Sequence, residues 1–314
     1  MGAPAVSVII PTFNRRTMVR HAIGSVMAQT ERDFELIVVD DGSTDGSCEL
    51  LKALASRRAG ERWGFRFERI SNRGPAGARN HGLAIARGRY TAFLDSDDLW
   101  KQGKLALQLN HMRSRGRAIS QTQEIWIRHG RRVNPGLRHR KLGGDIFVQS
   151  LRTCLISPSA AMVETGLLRQ AGGFDERMRA CEDYDLWLRL LAENQADLLD
   201  DALVVRRAGH LDQLSATTPA LDRFRILALM KLVAGGALGA KRRLSALEVL
   251  AEKCTVYGKG LRRRKRVFEA DLFEDIASQA LRPTSECWPD RRIVEQVARA
   301  ISLQHETNRG DAVL

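Results

Sequence analysis

The chain of 314 residues predicts an α/β fold, in which a mixed, mostly parallel sheet is flanked by helices and followed by a helical C-terminal extension. Strand-like and helix-like segments alternate along roughly the first hundred residues, which is typical of βαβ units. Three apolar runs in this part each end in a cluster of polar residues. After about Thr218 the periodicity is helical only. These three observations together predict a sheet domain and a separate helical region.

The N-terminal elements follow one another in a regular order. Short apolar runs bounded by polar residues indicate buried strands, and apolar residues at helical spacing indicate the helices between them. The segment Gly42–Asp45 has turn residues whose polar side chains suit a helix N-cap. In chain order the sequence predicts strand Val6–Ile10, helix Arg16–Ala28, strand Phe34–Val39, helix Glu49–Ala55, strand Phe65–Ile70, helix Ala76–Ala86 and strand Tyr90–Leu94.

The middle of the chain is less regular. It predicts strands at Ile119–Arg128 and Cys154–Val163, a helix at Asp183–Glu193 and an edge strand at Leu198–Val205. We therefore expect a sheet domain over residues 1–217 and a helical, basic region over residues 218–314. The helices predicted in the second region are Leu221–Leu238, Leu244–Tyr257, Arg266–Leu281 and Arg291–Leu303.

The composition is that of a globular protein with a strongly basic balance. Lys and Arg number 50 against 37 Asp and Glu, so the formal net charge is +13. A charge of this size favours polyanionic partners such as phosphorylated substrates, nucleic acid or an anionic membrane surface. The sharpest basic run is Arg262–Arg266, which is either a solvated charged face or a contact with an anionic membrane. No nucleic-acid motif accompanies the run, so we expect no specific nucleic-acid partner.

The five cysteines indicate a reducing compartment. They are scattered and never form a C-x-x-C pair, which argues against a disulfide framework and a zinc site. The N-terminus leads almost directly into a strand, and no run reaches the roughly 18 apolar residues of a membrane span. We expect a cytoplasmic protein that can lie peripherally at the inner face of the membrane.

Three acids follow the predicted strand Tyr90–Leu94 within four positions. Asp95, Asp97 and Asp98 would emerge together at the strand end, where they repel one another unless a cation lies between them. Mg²⁺ and Mn²⁺ prefer such hard oxygen ligands, usually together with substrate phosphates. The alternative is an acidic turn that caps the next helix.

Two other segments are candidates for the same chemistry. Asn72–Gly82 contains small residues where a helix begins, and helix N-termini bind phosphate through free N–H groups. Arg79 adds a forked donor, although small residues also pack a helix closely on a sheet. Glu182 and Asp183 begin an amphipathic helix, where one carboxylate could act as a general base. Acids favoured by the helix dipole, or an ion-pair network with neighbouring arginines, explain the same pair.

These motifs resemble those of the family 2 glycosyltransferases, which have the GT-A fold. The segments appear in the family's order and at its distances, and the resemblance covers roughly residues 5–210. Each segment alone is a weak signal, whereas all five together are highly specific. The matching segments are Val8–Arg15, Val38–Asp45, Asn72–Asn80, Phe93–Asp98 and Glu182–Asp183.

The resemblance implies a role for each matching residue. Asp183 corresponds to the family's catalytic base, and Glu182 stands beside it in the Glu-Asp motif. Asp97 corresponds to the direct ligand of a Mg²⁺ or Mn²⁺ ion, and Asp95 to a second ligand or a ribose contact. Because Asp98 is also an acid, the alignment of this motif is open to a shift of one residue. The residues expected to contact the nucleotide-sugar are Pro11, Thr12, Phe13, Asn14, Arg15, Asp41, Gly74, Arg79, Asp95 and Ser96.

The implied activity is inverting, metal-dependent transfer of a sugar from a nucleotide-sugar, with UDP as the expected nucleotide, to an acceptor hydroxyl. The acceptor would be a carbohydrate or a lipid-linked sugar, in the synthesis of cell-surface polysaccharide or glycoconjugate. His210 follows the last predicted strand and is either a diphosphate contact or a lone surface histidine. One rival is a nucleotidyltransferase, which would release pyrophosphate. The other is a non-enzymatic module that binds polyanions or membranes.

Overall fold

Eleven α-helices and nine β-strands are formed by the residues that this computed structural model describes. Those residues are 2–57, 64–134, 136–209, 218–282 and 288–310, with the backbone alone for residue 138 and residues 302–310. Two 3₁₀ turns, Leu137–His139 and Pro158–Ala160, lie between the strands of the second half of the sheet. The helices are α1 (Arg16–Met27), α2 (Ser47–Arg57), α3 (Gly74–Ile85), α4 (Lys104–Arg115), α5 (Phe147–Arg152), α6 (Thr165–Gln170), α7 (Glu182–Leu191), α8 (Asp222–Ala234), α9 (Ala240–Arg263), α10 (Val267–Ala280) and α11 (Arg291–Gly310).

The first four strands form the parallel part of the sheet. β1 (Val6–Thr12) and β2 (Phe34–Asp40) are buried at every residue, as expected of parallel strands that are covered on both faces. β3 (Phe65–Arg69) pairs with β2, and β4 (Tyr90–Phe93) pairs with β1. The resulting order β3-β2-β1-β4 places the carboxyl ends of β1, β2 and β4 at one edge.

The other strands extend the same sheet with mixed directions. The order continues from β4 through β8, β6 and β9 to β5, and β7 pairs with β6 outside this path. β8 is antiparallel to β4 and β6, whereas β6 and β9 run parallel. The mixed sheet is therefore confirmed, and its continuous parallel part is confined to the first four strands. The remaining strands are β5 (Leu99–Trp100), β6 (Ile119–Arg128), β7 (Arg131–Val133), β8 (Met162–Glu164) and β9 (Asp197–Ala208).

One predicted strand is much shorter than expected. The sequence predicts Cys154–Val163, but β8 includes only its last two residues and Glu164. The preceding residues instead form an extended loop and the 3₁₀ turn that begins at Pro158. Proline has no N–H for a strand ladder, which explains why the pairing starts only after it.

The core of the sheet lies under α1. Val8 and Ile10 are two residues apart on β1 and so point to the same face, where they join Ile23 and Val26 of α1. All four side chains are fully buried or nearly so. Burying aliphatic side chains of this size stabilises the fold by roughly 1.5–3 kcal/mol each. This packing holds the ends of β1 and β2, from which the candidate site is built.

The chain divides into two compact units. The first contains residues 1–146 and 153–217, and the second contains residues 147–152 and 218–314. In the second unit α5 joins α9 through the ion pair of Arg152 and Glu252, and Tyr257 meets Phe273 of α10 edge-to-face at 4.8 Å. None of the helices described combines the length and the apolar character that crossing a bilayer requires.

Candidate active site

The loops that follow β1 and β2 are bound to each other. Asn14 adopts the left-handed conformation with φ 51°, which asparagine tolerates better than most residues. Its backbone N–H donates to Ser43 Oγ at 2.8 Å, and its Oδ1 accepts from the N–H of Thr44 at 2.7 Å. Of the other predicted nucleotide contacts in this loop, Pro11 and Thr12 are buried at the end of β1, and Phe13 is 44% exposed. The two loops therefore form one rigid wall with an exposed aromatic ring.

Asp41 joins this wall to the start of α3. Its Oδ1 accepts from the Arg73 N–H at 2.7 Å and its Oδ2 from the Gly74 N–H at 2.8 Å. Gly74 has φ +78°, a conformation that other residues adopt only with strain. Burial raises the pKa of Asp41, and the two backbone N–H groups work against that rise. Asp41 and Gly74 thus shape the wall together.

The three acids after β4 cluster as the sequence predicts. Asp95, Asp97 and Asp98 each offer a carboxylate oxygen, and these oxygens lie within 4.8 Å of one another. The N–H of Asp98 donates to the Asp95 carbonyl at 2.9 Å, so a tight turn brings the side chains together. Ser96, within this turn, is buried. Clustered carboxylates are the donor set that suits Mg²⁺ or Mn²⁺.

The environments of these acids differ. Asp98 is buried, accepts from Ser159 Oγ at 2.7 Å and from the Arg207 N–H at 3.0 Å, and so ties the turn to β9. Burial, with Asp97 and Asp95 beside it, raises its pKa well above the usual range. Asp95 and Asp97 are only partly buried. The geometry therefore favours Asp95 and Asp97 over Asp98 as the acids available to a ligand.

Arg79 connects the acid cluster to the start of α7. Its Nη2 donates to Asp95 Oδ1 at 2.7 Å and its Nη1 to Glu182 Oε1 at 2.6 Å. The guanidinium is buried and lies over the Phe174 ring at 5.2 Å. Sequence reasoning assigned Arg79 to the phosphates, but two of its donors are used by these carboxylates. The sequence separation of 103 residues between Arg79 and Glu182 explains why the bridge was not predicted.

Glu182 and Asp183 face different partners. α7 begins after Cys181, which has φ +59°, and Glu182 points to Arg79. Burial raises the pKa of Glu182, and Arg79 opposes that rise. Asp183 is only partly buried, and the Cys154 thiol donates to its Oδ2 at 3.6 Å. Of the two carboxylates, Asp183 is the one accessible to a substrate hydroxyl.

Arg15 links the loop after β1 to the acid cluster. Its Nη1 lies 2.7 Å from Asp97 Oδ2. Asp97 thus connects through Arg15 to the wall that contains Asp41, while Asp95 connects through Arg79 to Glu182, the neighbour of Asp183. Asp41, Asp97 and Asp183, which come from three separate motifs, therefore belong to one contiguous network.

The structure adds residues that sequence reasoning missed. Ser159 Oγ accepts from the Asp95 N–H at 3.1 Å while it donates to Asp98. Arg206 is half-buried near several carboxylates, and although burial acts to lower its pKa, the charges of Glu124, Asp98 and Asp95 raise it. Ser159 carries no sequence signal, and Arg206 shows only as part of a basic pair. His210 lies outside the described residues.

Known proteins share both the sequence and the fold of this chain. The model of the glycosyl transferase family 2 matches residues 7–163. An uncharacterized glycosyltransferase of Rickettsia felis is 36% identical over 198 residues, which make up 63% of this chain and 32% of that protein. The chain therefore spans about a third of the length of that relative.

Two further proteins extend the comparison beyond the matched segment. WfgD of Escherichia coli, a UDP-Glc:α-D-GlcNAc-diphosphoundecaprenol β-1,3-glucosyltransferase, is 29% identical over 71% of this chain and 82% of its own. The structure of Staphylococcus aureus TarS 1–349 in complex with UDP-GlcNAc superposes with a TM-score of 0.61 at 17% identity, over 89% of this chain and 92% of that one. This likeness shows a GT-A glycosyltransferase fold. With half of its residues matched by the family model, the chain belongs to the glycosyl transferase family 2.

Proposed function

We propose that the protein transfers a sugar from a nucleotide-sugar to an acceptor hydroxyl, with inversion at the anomeric carbon. The observation that carries this proposal is the Arg79 bridge, which joins Asp95 of the acid cluster to Glu182 of the Glu-Asp pair. Sugar transfer needs a site for an activated donor next to a base for the acceptor. The bridge supports such an arrangement because Arg79 contacts both the acid cluster, which would serve the donor, and the Glu-Asp pair, which would supply the base.

Asp95 and Asp97 would hold a divalent cation, either Mg²⁺ or Mn²⁺. Their carboxylates are partly exposed and lie close together, which fits an ion that takes one or two carboxylates plus substrate phosphates. When bound, the ion would supply Lewis-acid stabilisation of the negative charge that develops on the departing nucleoside diphosphate. The Arg15 guanidinium lies 2.7 Å from Asp97 and is a positive group of the protein itself, which would also stabilise this negative charge.

Asp183 would take the proton from the attacking hydroxyl. A general base must reach the proton that it removes, and the Asp183 carboxylate is partly exposed at the start of α7. Glu182 would act as a positioning residue, because its contact with Arg79 fixes the first turn of the helix. A single displacement from the face opposite the phosphate inverts the configuration and needs no carboxylate nucleophile, unlike a retaining hydrolase.

The donor we propose is a UDP-sugar, and the acceptor is a carbohydrate or a lipid-linked sugar of cell-surface polysaccharide. The shared fold with TarS, solved with UDP-GlcNAc, supports the choice of donor. The similarity to WfgD supports both the donor and the acceptor, because WfgD is named for transfer from UDP-Glc to a diphosphoundecaprenol-linked sugar. The loop wall with Phe13, Asn14 and Asp41 would then lie against the nucleoside.

We also propose a peripheral contact of the helical region, residues 218–314, with an anionic membrane. Phe268 is 91% exposed and lies two residues after the basic run Arg262–Arg266. Two members of that run are paired with acids, since Arg262 meets Asp271 and Glu274 and Arg266 meets Glu269. The other three are exposed, and basic residues near such a surface contribute about 1 kcal/mol each. The test is flotation with anionic vesicles of a variant in which Arg263, Arg264 and Lys265 are neutralised and Phe268 is replaced by Ser. Unchanged binding of this variant would contradict the proposal.

Product analysis tests the transferase directly. The protein is incubated with a panel of nucleotide-sugars in the presence of Mn²⁺, Mg²⁺ or EDTA, and the nucleotide products are separated. We expect metal-dependent release of a nucleoside diphosphate, and a UDP-sugar as the preferred donor. A parallel incubation with a nucleoside triphosphate and a sugar 1-phosphate tests the rival, because a nucleotidyltransferase would join these two and release pyrophosphate. The absence of turnover and of nucleotide binding across the panel would contradict an enzymatic function.

A further inference from the structure

A small cavity opens beside the candidate active site, between β6 and the 3₁₀ turn Leu137–His139. Its volume is about 210 Å³, and none of the residues predicted from the sequence to form the site lines it. Pockets for drug-sized ligands measure about 300–1,000 Å³, so this one fits a smaller group such as a single sugar ring.

One wall of the cavity is aromatic and held in place. Trp126 and His139 line it, with their ring centroids 5.3 Å apart and their planes tilted by 46°. The indole Nε1–H donates to Glu124 Oε2 at 2.9 Å, and the guanidinium of Arg206 lies 5.0 Å from the ring centroid. Because both the edge and the face of the indole have partners, its orientation is set before any ligand arrives. A rigid aromatic surface of this kind suits the C–H face of a sugar ring.

The floor of the cavity is polar and charged. Glu124 accepts from Trp126 and from Ser157, and the Lys141 ammonium lies 3.1 Å from Glu124 Oε1. Burial works to raise the pKa of Glu124, but Lys141 and Arg206 outweigh it and hold this pKa at about 2. The carboxylate is therefore ionised at neutral pH. Lys141 has three N–H donors, of which two face Glu124 and Ser157, so one can donate to a ligand oxygen.

The floor continues into the candidate active site. Ser157, which donates to Glu124, lies two residues before Ser159, which bonds to Asp98 and to the Asp95 N–H. Cys154 lies three residues before Ser157, and its thiol donates to Asp183 Oδ2 at 3.6 Å. The cavity is thus connected to both the acid cluster and the proposed base.

From this geometry we propose that the cavity is an acceptor subsite that binds one neutral sugar ring. The ring packs on Trp126 and His139, and its hydroxyls meet Glu124 and Lys141. The inference rests on the proposed function, since it gives the acceptor of that reaction its place. It adds that acceptor selectivity depends on β6 and the turn at Leu137–His139.

The test uses methyl glycosides of glucose, galactose, mannose and N-acetylglucosamine, in both anomers, as acceptor fragments. Binding is followed by saturation-transfer NMR in the presence of UDP and Mn²⁺, and transfer is followed by product formation with the best donor. We expect at least one glycoside to bind, and Trp126→Leu and His139→Ala to weaken its binding or raise its KM by about tenfold or more, equivalent to about 1.4 kcal/mol. Arg132→Ala is the matched control, because Arg132 is exposed on the neighbouring strand β7 and does not line the cavity.

Nucleotide binding separates the two ways in which the test can fail. If UDP with Mn²⁺ does not stabilise the wild-type protein and no donor is turned over, the proposed function itself fails. If UDP binds but no glycoside does, or if the Trp126 and His139 variants match Arg132→Ala, the subsite is wrong. Displacement of the glycoside signal by inorganic phosphate would overturn the assignment to a neutral ring. Should Trp126→Leu fold poorly, His139→Ala and Leu137→Arg carry the test, since Leu137 is 93% exposed at the cavity.

Discussion

The two halves of the candidate site are built in different ways. The half proposed to bind the donor consists of the segments that follow β1, β2, β3 and β4, and its polar residues come from continuous motifs after these strands. The half proposed to bind the acceptor consists of β6, residues 136–141, residues 154–159, the start of α7 and β9, and its residues come from these five separate segments. The donor half is organised largely by hydrogen bonds from backbone N–H groups to side chains, such as those from Arg73 and Gly74 to the Asp41 carboxylate. The acceptor half is organised by buried charges, such as Glu124 with Lys141.

The two halves therefore differ in what the loss of one side chain removes. The loops of the donor half depend on a few side chains that accept from backbone N–H groups, as Asp41, Asn14 and Ser43 do. A network of buried charges depends on each member, because removing one partner leaves the other uncompensated. The following variants separate the two halves.

The largest effect is expected from the proposed base. Asp183→Asn keeps the shape of the side chain but cannot take a proton, so transfer should fall by about 10²–10⁴-fold. Binding of UDP with Mn²⁺, measured by thermal stabilisation, should stay at the wild-type level because the donor half is intact. Retained turnover would remove Asp183 from its role.

The Arg79 bridge between the halves should show the largest effect on stability. Arg79→Met leaves Glu182 buried without its cation, and the free energy of unfolding should fall by about 3–5 kcal/mol. Arg89→Met is the matched control, because the Arg89 side chain is 70% exposed in its pair with Glu164 and should cost at most about 1 kcal/mol. Urea denaturation measures both. Equal losses for the two variants would show that the bridge is not the element that joins the halves.

Glu124 and Asp41 should respond to acid with opposite signs. The pKa of Glu124 is about 2 against an ordinary 4.5, so its ionised form contributes stability above pH 4.5 that is lost as the pH falls towards 2, about 3 kcal/mol in all. Glu124→Gln should therefore flatten the acid limb of the stability curve. The pKa of Asp41 is raised, so its contribution is present below pH 3.8 and is lost as the pH rises through its folded-state pKa. Unfolding free energies of Glu124→Gln and Asp41→Asn between pH 2 and 7 check these signs.

The smallest of these effects concerns the cation. UDP with Mn²⁺ at about 100 times its Kd should stabilise the wild-type protein by about 2.7 kcal/mol, and Asp97→Asn should lose most of this gain. Asp175→Asn provides a control acid outside the cluster. If EDTA leaves the stabilisation by UDP unchanged in the wild-type protein, Asp97 does not act through a metal ion.

Much of the fold and of the donor half could be predicted from the sequence. The runs Val6–Ile10 and Phe34–Val39 are apolar except for Ser7 and Glu35, which predicts buried strands, and the acids after Tyr90–Leu94 were expected to emerge at a strand end. Of the acceptor half, only the Glu182–Asp183 pair could be predicted from the sequence. Trp126, Lys141 and Ser159 stand in segments with no motif, and the strand predicted over Cys154–Val163 was wrong over most of its length.

By itself, the amino-acid sequence determined the order of strands and helices, the burial of the first strands and the grouping of Asp95, Asp97 and Asp98. These properties depend on residues that are near one another along the chain, and local periodicity and spacing record them. Only the tertiary structure decided that Arg79 bridges Asp95 and Glu182, that Asp98 is tied to β9 and that a cavity opens beside Trp126. These contacts join residues far apart in the chain, and they form because a buried charge must find a partner wherever the folded backbone brings one within reach.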